Sequence, residues 1–202
     1  HAAIRLILPL IPALCAGSPV ADSEITGYKD TRMEVYRTNS LKIPSITGDV
    51  IREPVFSVPQ YQQFILQRIY QDLQPFDSEK VLQEEWVNAR GAIARFERNS
   101  IEIRIIDIQE TPFADIAIAA AVIGAVRMMA EERFCSLHEQ KSWQTAPLKE
   151  IFLRTIKDGE NAIIDDSDFL SAMGLNRVCS AGQLWGYLVE KLQEYDKQWI
   201  TP

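Results

Sequence analysis

The chain is poor in the residues from which most metal and redox sites are built. It has two histidines, His1 and His138, too few to make a metal site by themselves. Each is read as an ordinary surface or core residue. The cysteines Cys15, Cys135 and Cys179 are odd in number, widely spaced and set beside apolar residues. That pattern excludes a disulfide framework and a C-x-x-C zinc site, and leaves three small buried thiols. Lys and Arg number 21 against 28 Asp and Glu, so no basic excess favours nucleic acid or an anionic membrane. Repeats, low-complexity tracts and heptads are missing. The acidic run Asp165-Asp166-Ser167-Asp168 lacks the glycine and the distal glutamate of a calcium loop, and reads as a helix cap.

Long apolar runs are few. The first, Ala2 to Ala16, has the length of a signal segment, but it carries one basic residue, Arg5, and is broken by Pro9 and Pro12. It is too short to span a bilayer and is read as a core helix kinked at its prolines. Residues 20–58, rich in Thr, Ser, Gly and Pro, read as a long loop of the kind that is usually functional. Tyr61, Phe64, Ile65, Ile69 and Leu73 have helical spacing within Pro59 to Leu73. Trp86 to Phe96 is predicted to be a strand. Phe113 to Met129 is almost without polar residues, follows a Thr111-Pro112 cap, and is predicted to be a buried helix. Further helices are predicted over Leu148 to Lys157, Asp168 to Met173 and Gly182 to Trp199.

The stretch Arg95 to Asp107 carries the most chemistry. Alternation places Ser100, Glu102, Arg104 and Ile106 on one face of a strand, and Ile101, Ile103, Ile105 and Asp107 on the other. Exposed ion pairs add roughly 0 to 1 kcal/mol and buried ones often break even, so stability alone is a poor reason to keep Glu102 beside Arg104. The competing reading is a solvated strand face with an incidental ion pair. Glu102 and Arg104 are predicted to point away from the Phe113 to Met129 helix, into a concave and partly open surface.

An E-x-R strand, a short turn with proline and an Ala-rich helix resemble the C-terminal part of the glutamine-synthetase-like carboxylate-amine ligases. Leu8-Pro9-Leu10-Ile11-Pro12-Ala13-Leu14-Cys15-Ala16-Gly17-Ser18-Pro19 is similar to the "PLLPALSANSP" segment of the bacterial glutamate-cysteine ligase type 2 family. Gly27 to Arg32 looks like that family's "G-x-x-S-x-R", and Asn88-Ala89-Arg90 like its "D-A-R", with Asn for Asp. The resemblance covers about residues 1–130. After Arg133 it fades: Trp143-Gln144-Thr145-Ala146-Pro147 stands where the family often has W-x-A-x-R-x-G.

The resemblance implies an α+β fold, a glutamine-synthetase-like half-domain with one antiparallel sheet and helices packed on one face. It implies one domain over residues 1–202, with 1–130 as the catalytic half and 131–202 as a helical extension. The family's E-x-E and H-x-H strands do not occur here, and the chain begins at His1 without methionine, so it is expected to be the C-terminal half of a larger enzyme. The implied activity is an ATP- and Mg2+-dependent ligase that joins the carboxylate of glutamate to an amine such as cysteine through an acyl phosphate. Glu102 is the implied magnesium ligand and Arg104 the phosphate-binding residue. Arg32 and Arg90 would hold the substrate carboxylate or phosphates, with Arg37, Arg95 and Arg98 as competitors. The expected partners are small-molecule substrates and the missing N-terminal half, with homo-oligomers possible, no nucleic acid or membrane, and a cytoplasmic location. A non-catalytic binding or assembly module is the alternative, and a guanidino or amine kinase the third reading.

Overall fold

The structure, a computed structural model, describes the backbone of residues 1–200 and the side chains of residues 1–196. Its centre is the N-terminal apolar run. Helix α1 (Ala2–Ile7), a 3-10 turn at Leu8–Leu10 and α2 (Pro12–Cys15) follow one another, with Pro9 and Pro12 in the first turns, where a missing N–H does least harm. Leu6, Ile7, Leu8, Leu10, Ile11 and Cys15 are fully buried. The irregular winding frees carbonyls, and distant side chains take them up: Thr155 Oγ1 donates to the Pro9 carbonyl at 2.6 Å and Trp185 Nε1 to the Leu10 carbonyl at 2.7 Å.

The segment read as loop is more ordered than expected. It holds a small hairpin, β1 (Val20–Ala21) with β2 (Glu24–Ile25), and a helix, α3 (Thr31–Tyr36). Asp30 caps α3 by accepting the Met33 N–H at 2.9 Å, and the N–H groups of Lys29 and Asp30 pair with the carbonyls of Lys157 and Ile156. Next come α4 (Val58–Tyr61), a π turn at Gln62–Leu66 and α5 (Gln67–Leu73), where the helix over Pro59 to Leu73 was predicted. Tyr61, Ile65, Leu66, Ile69 and Leu73 form a second, smaller apolar cluster with Val55 and Val87.

Strand β3 (Ala92–Arg95) pairs antiparallel with β4 (Ser100–Ile103), with Ile93 opposite Glu102 and Arg95 opposite Ser100. Both strands are shorter than predicted. Before β3, Glu85–Val87 is a 3-10 turn, and Asn88 Oδ1 accepts the Arg90 N–H at 3.2 Å, a turn that competes with strand pairing. After β4, the Ile105 carbonyl is taken by the Arg32 guanidinium at 2.7 Å instead of a neighbouring strand.

Thr111 caps α6 (Pro112–Ala130), accepting the Ala114 N–H. The helix was expected to be buried, and only one side of it is: Ile118, Val122, Ala125, Met128 and Met129 face the core, while Phe113 is 81% exposed and Ile116 and Ile123 are 67% exposed. A run without polar residues cannot mark its own outer face. By length and composition alone Pro112–Ala130 suffices to cross a membrane, yet it packs on α1 and on the C-terminal helix, where a Cβ on Gly124 would stand 2.1 Å from a Leu192 methyl.

The remaining elements are α7 (Leu137–Ser142), α8 (Thr145–Asp158), β5 (Ile163–Ile164), α9 (Ser167–Ala172), β6 (Cys179–Ser180) and α10 (Ala181–Ile200). Helices α8, α9 and α10 match the helices predicted after residue 147, whereas α7, β5 and β6 were not predicted; Asp166 caps α9 through the Phe169 N–H. All three cysteines are buried free thiols. The class is α+β, with the described strands in three separate two-stranded antiparallel pairs.

Candidate functional site

The β3–β4 hairpin divides its side chains as period two requires. Ile101 and Ile103 pack against the main core, as does the fully buried Ile105 beyond the strand. Arg95 and Glu102 share the opposite face, and Arg104 joins them because its N–H extends the pairing to the Gly91 carbonyl at 2.8 Å. A Cβ on Gly91 would lie 2.9 Å from side-chain carbons of Val50 and Ile105, so a side chain there would force this junction apart.

On that face Glu102 sits between two arginines. Its Oε1 accepts from Arg104 Nε and its Oε2 from Arg95 Nη1, both at 2.9 Å. Burial would raise its pKa, but Arg104 and Arg95 outweigh that and hold it below the ordinary carboxylate value. Arg104 is aimed by the carbonyls of Asn88 at 3.0 Å and Trp86 at 3.3 Å. Glu85 lies 3.8 Å from Arg95 and accepts the Phe96 N–H.

Arg32 belongs to the same neighbourhood. It stands on the first turn of α3, where it pairs with Asp107 at 3.1 Å. Tyr36, one helical turn later, links the groups: burial raises its pKa, Arg104 and Arg32 pull it down, and Glu102 adds to the rise. Three guanidinium groups thus face Glu102, Asp107 and Glu85. Each arginine is partly exposed and held in an ion pair that an incoming carboxylate or phosphate can exchange.

Arg90 is placed elsewhere. Its side chain is 4% exposed and grips Glu53 with both arms of its fork, Nε to Oε2 at 2.7 Å and Nη2 to Oε1 at 2.5 Å. Nη1 donates to the Ser45 carbonyl and Asn88 Oδ1. It fastens the 45–53 segment to β3, and its nitrogens are spent on that task. Arg37 turns back to Glu34 on its own helix, and Arg98 is exposed in the β3–β4 turn.

A magnesium ion fits this face poorly. Both Glu102 oxygens are engaged, and among the described residues no three His, Cys, Asp or Glu side chains come together as a metal-binding group. Glu102 offers one ligand at most.

The profile of glutamate-cysteine ligase family 2 matches residues 1–175. The chain belongs to that family. The match extends through α8 and α9, further than the motifs alone reached. An uncharacterized protein of Archaeoglobus fulgidus is 39% identical over 132 residues, which make up 65% of this chain and 35% of that protein. The chain therefore spans about a third of the length of the curated relative it matches. No solved structure matches it.

For this member of glutamate-cysteine ligase family 2, the sequence reading missed Tyr36, Arg95 as a direct partner of Glu102, and Asp107 as the partner of Arg32. Tyr36 had a usable signal, since it lies four residues after Arg32 behind an Asp cap. The partnership of Arg32 with Asp107 crosses 75 residues of chain and has no local signature.

Proposed function

We propose that this chain carries part of the active site of an ATP-dependent carboxylate-amine ligase. The observation behind this reading is the Arg95–Glu102–Arg104 face, joined by Arg32 and Tyr36, in a chain of glutamate-cysteine ligase family 2. In the proposed reaction the γ-phosphoryl group of ATP passes to the carboxylate of glutamate, giving ADP and an acyl phosphate. An amine such as cysteine then attacks the acyl carbon, releases phosphate and gives up a proton. Charge builds on the phosphoryl oxygens, and positioned guanidinium groups meet it without reorganising. Arg104 is assigned to the phosphoryl group, Arg32 to a substrate carboxylate, and Arg90 to positioning the strand that carries the site.

Magnesium, if used, would take Glu102 as one ligand and the others from chain beyond this one. The additional length of the Archaeoglobus relative makes room for such chain. The reading places the enzyme in the cytoplasm, acting on small molecules and alone or as a homo-oligomer. The net charge of -7 supports the exclusion of nucleic acid and anionic membrane as partners.

The engagement of both Glu102 oxygens by Arg95 and Arg104 favours a second reading, a binding or assembly module that retains the family fold without catalysis. The test is ADP release by the full-length gene product with ATP, glutamate and a panel of amines. Release that requires both glutamate and an amine supports the ligase. Its absence under all combinations supports the module.

A further inference from the structure

A cavity of about 520 Å3 opens at the tip of the β3–β4 hairpin, beside α1 and α4. Its walls are mostly apolar and aromatic, with Ile4, Phe56, Val58, Tyr61, Phe96 and Ile101 among them. Tyr61 stands edge-on to the Phe96 ring at 5.5 Å and to the His1 ring at 6.0 Å, and His1 stands edge-on to Phe56 at 5.9 Å. Such an array offers ring edges and faces to an apolar guest. Size and lining are those of a small-molecule site.

Two residues belong both to this wall and to the charged face of the hairpin. Arg95 and Ser100 line the cavity, and they stand opposite each other in the strand register, two positions from Glu102. Arg95 gives Nη1 to Glu102, but its Nε lies 3.8 Å from Glu85, too far for a hydrogen bond, and its Nη2 donates to no described residue. The described lining includes no carboxylate. The Phe56 ring has the Arg5 guanidinium 5.9 Å and the Lys141 ammonium 5.8 Å from its centroid. These surroundings favour a ligand whose apolar body carries a negative group. A nucleobase fits less well, because its ring nitrogens need partners and the Tyr61 hydroxyl already accepts from Asn88 Nδ2 at 2.7 Å and the Ala94 N–H at 3.1 Å.

We propose that this cavity receives the side chain of the amine substrate, and that this substrate is an α-amino acid with a bulky apolar or aromatic side chain rather than cysteine. Its carboxylate accepts from Arg95. Its amine, one carbon away, is left on the Glu102 side of that arginine. A cysteine side chain is too small to fill such a space. The assignment rests on the ligase reading for the fate of the amine, whereas occupancy of the cavity is measured without turnover.

The full-length gene product, with glutamate present, is titrated by calorimetry with phenylalanine, leucine, cysteine, phenylalaninol and AMP. Phenylalanine or leucine is expected to bind about tenfold or more tightly than cysteine, from the additional apolar surface buried. Phenylalanine should also bind about tenfold more tightly than phenylalaninol, which lacks the carboxylate. Val58→Trp puts an indole at the cavity from a position that is 51% exposed, and Ser100→Trp does so from an exposed position on the hairpin. Each should abolish the preference over cysteine and leave the unfolding midpoint near that of wild type. In Arg95→Met, phenylalanine and phenylalaninol should bind alike. The idea is overturned if cysteine binds wild type as tightly as phenylalanine and leucine do, or if both tryptophan variants keep the preference. It is equally overturned if those variants weaken AMP and spare phenylalanine, which would make the cavity a base site. Phenylalanine bound there without amine-dependent ADP release would refute the ligase reading and keep the ligand; release with cysteine but not with phenylalanine or leucine would do the reverse.

Discussion

Replacing Arg90 by methionine separates a residue that holds the fold from one that meets substrate. The change removes a bidentate ion pair with Glu53 and the donors to the Ser45 carbonyl and Asn88 Oδ1. Breaking a fully buried ion pair by deleting one partner costs about 3–5 kcal/mol, mostly because the other charge is stranded. Here Glu53 is 40% exposed and can be rehydrated, which removes much of that penalty. The Ser45 carbonyl is orphaned at a cost of about 1 kcal/mol, while Asn88 Oδ1 keeps the Arg90 backbone N–H. The expected loss is therefore about 2–3 kcal/mol, or a fall of about 1 M in the urea midpoint of the 202-residue chain for a typical slope. Arg90→Lys keeps the charge but not the fork, and should lose about half as much. Tryptophan fluorescence during urea unfolding is the assay. If Arg90→Met unfolds within about 0.5 kcal/mol of wild type, Arg90 is not a staple, and a substrate-binding role for it regains its case.

Two further outcomes follow from the same geometry. Because its arginine partners hold the Glu102 pKa below the ordinary value of 4.5, the stabilisation from this group is present above that value and lost as pH falls through the lower, folded pKa. Acid unfolding of wild type and Glu102→Gln should therefore differ near neutrality and converge as pH falls below 4.5 through the lower, folded pKa; a difference that stays constant as pH falls contradicts the pairing. On α6, Phe113→Ser and Ile123→Ser alter exposed side chains and should each leave stability within about 0.5 kcal/mol of wild type, whereas Val122→Ser, 3% exposed, should lose about 2 kcal/mol or more in the same urea assay.

What could be read from the chain was whatever has a period. The isoleucines at 101, 103 and 105 declare one face of the hairpin, so the separation of Glu102 and Arg104 from that face was legible before any geometry was known. The helices after residue 147 were legible for the same reason, since α8 and α10 alternate apolar and polar faces. Helix α6 was legible as a helix but not in its burial, because its outer residues are as apolar as its inner ones. Helix α3 was hidden in a polar, turn-rich stretch, and its order comes from the Asp30 cap and from contacts with the end of α8. Arg90 marks the limit most clearly. An arginine that faces a substrate and one that faces Glu53, 37 residues away, look the same in sequence.

The most direct test of the ligase account is turnover by Glu102→Gln and Arg104→Lys in the full-length gene product, measured as amino-acid-dependent ADP release. On the ligase account Arg104→Lys removes a preorganised electrostatic contact at the phosphoryl group, worth about 3–4 kcal/mol, and Glu102→Gln removes the carboxylate that holds Arg104 and Arg95 in place, so each should lower kcat by roughly 100-fold or more while the protein stays folded. Arg133→Lys, exposed and remote from the hairpin, should leave the rate within about threefold. Turnover like wild type in Glu102→Gln would contradict the assignment of this face as the site of phosphoryl transfer.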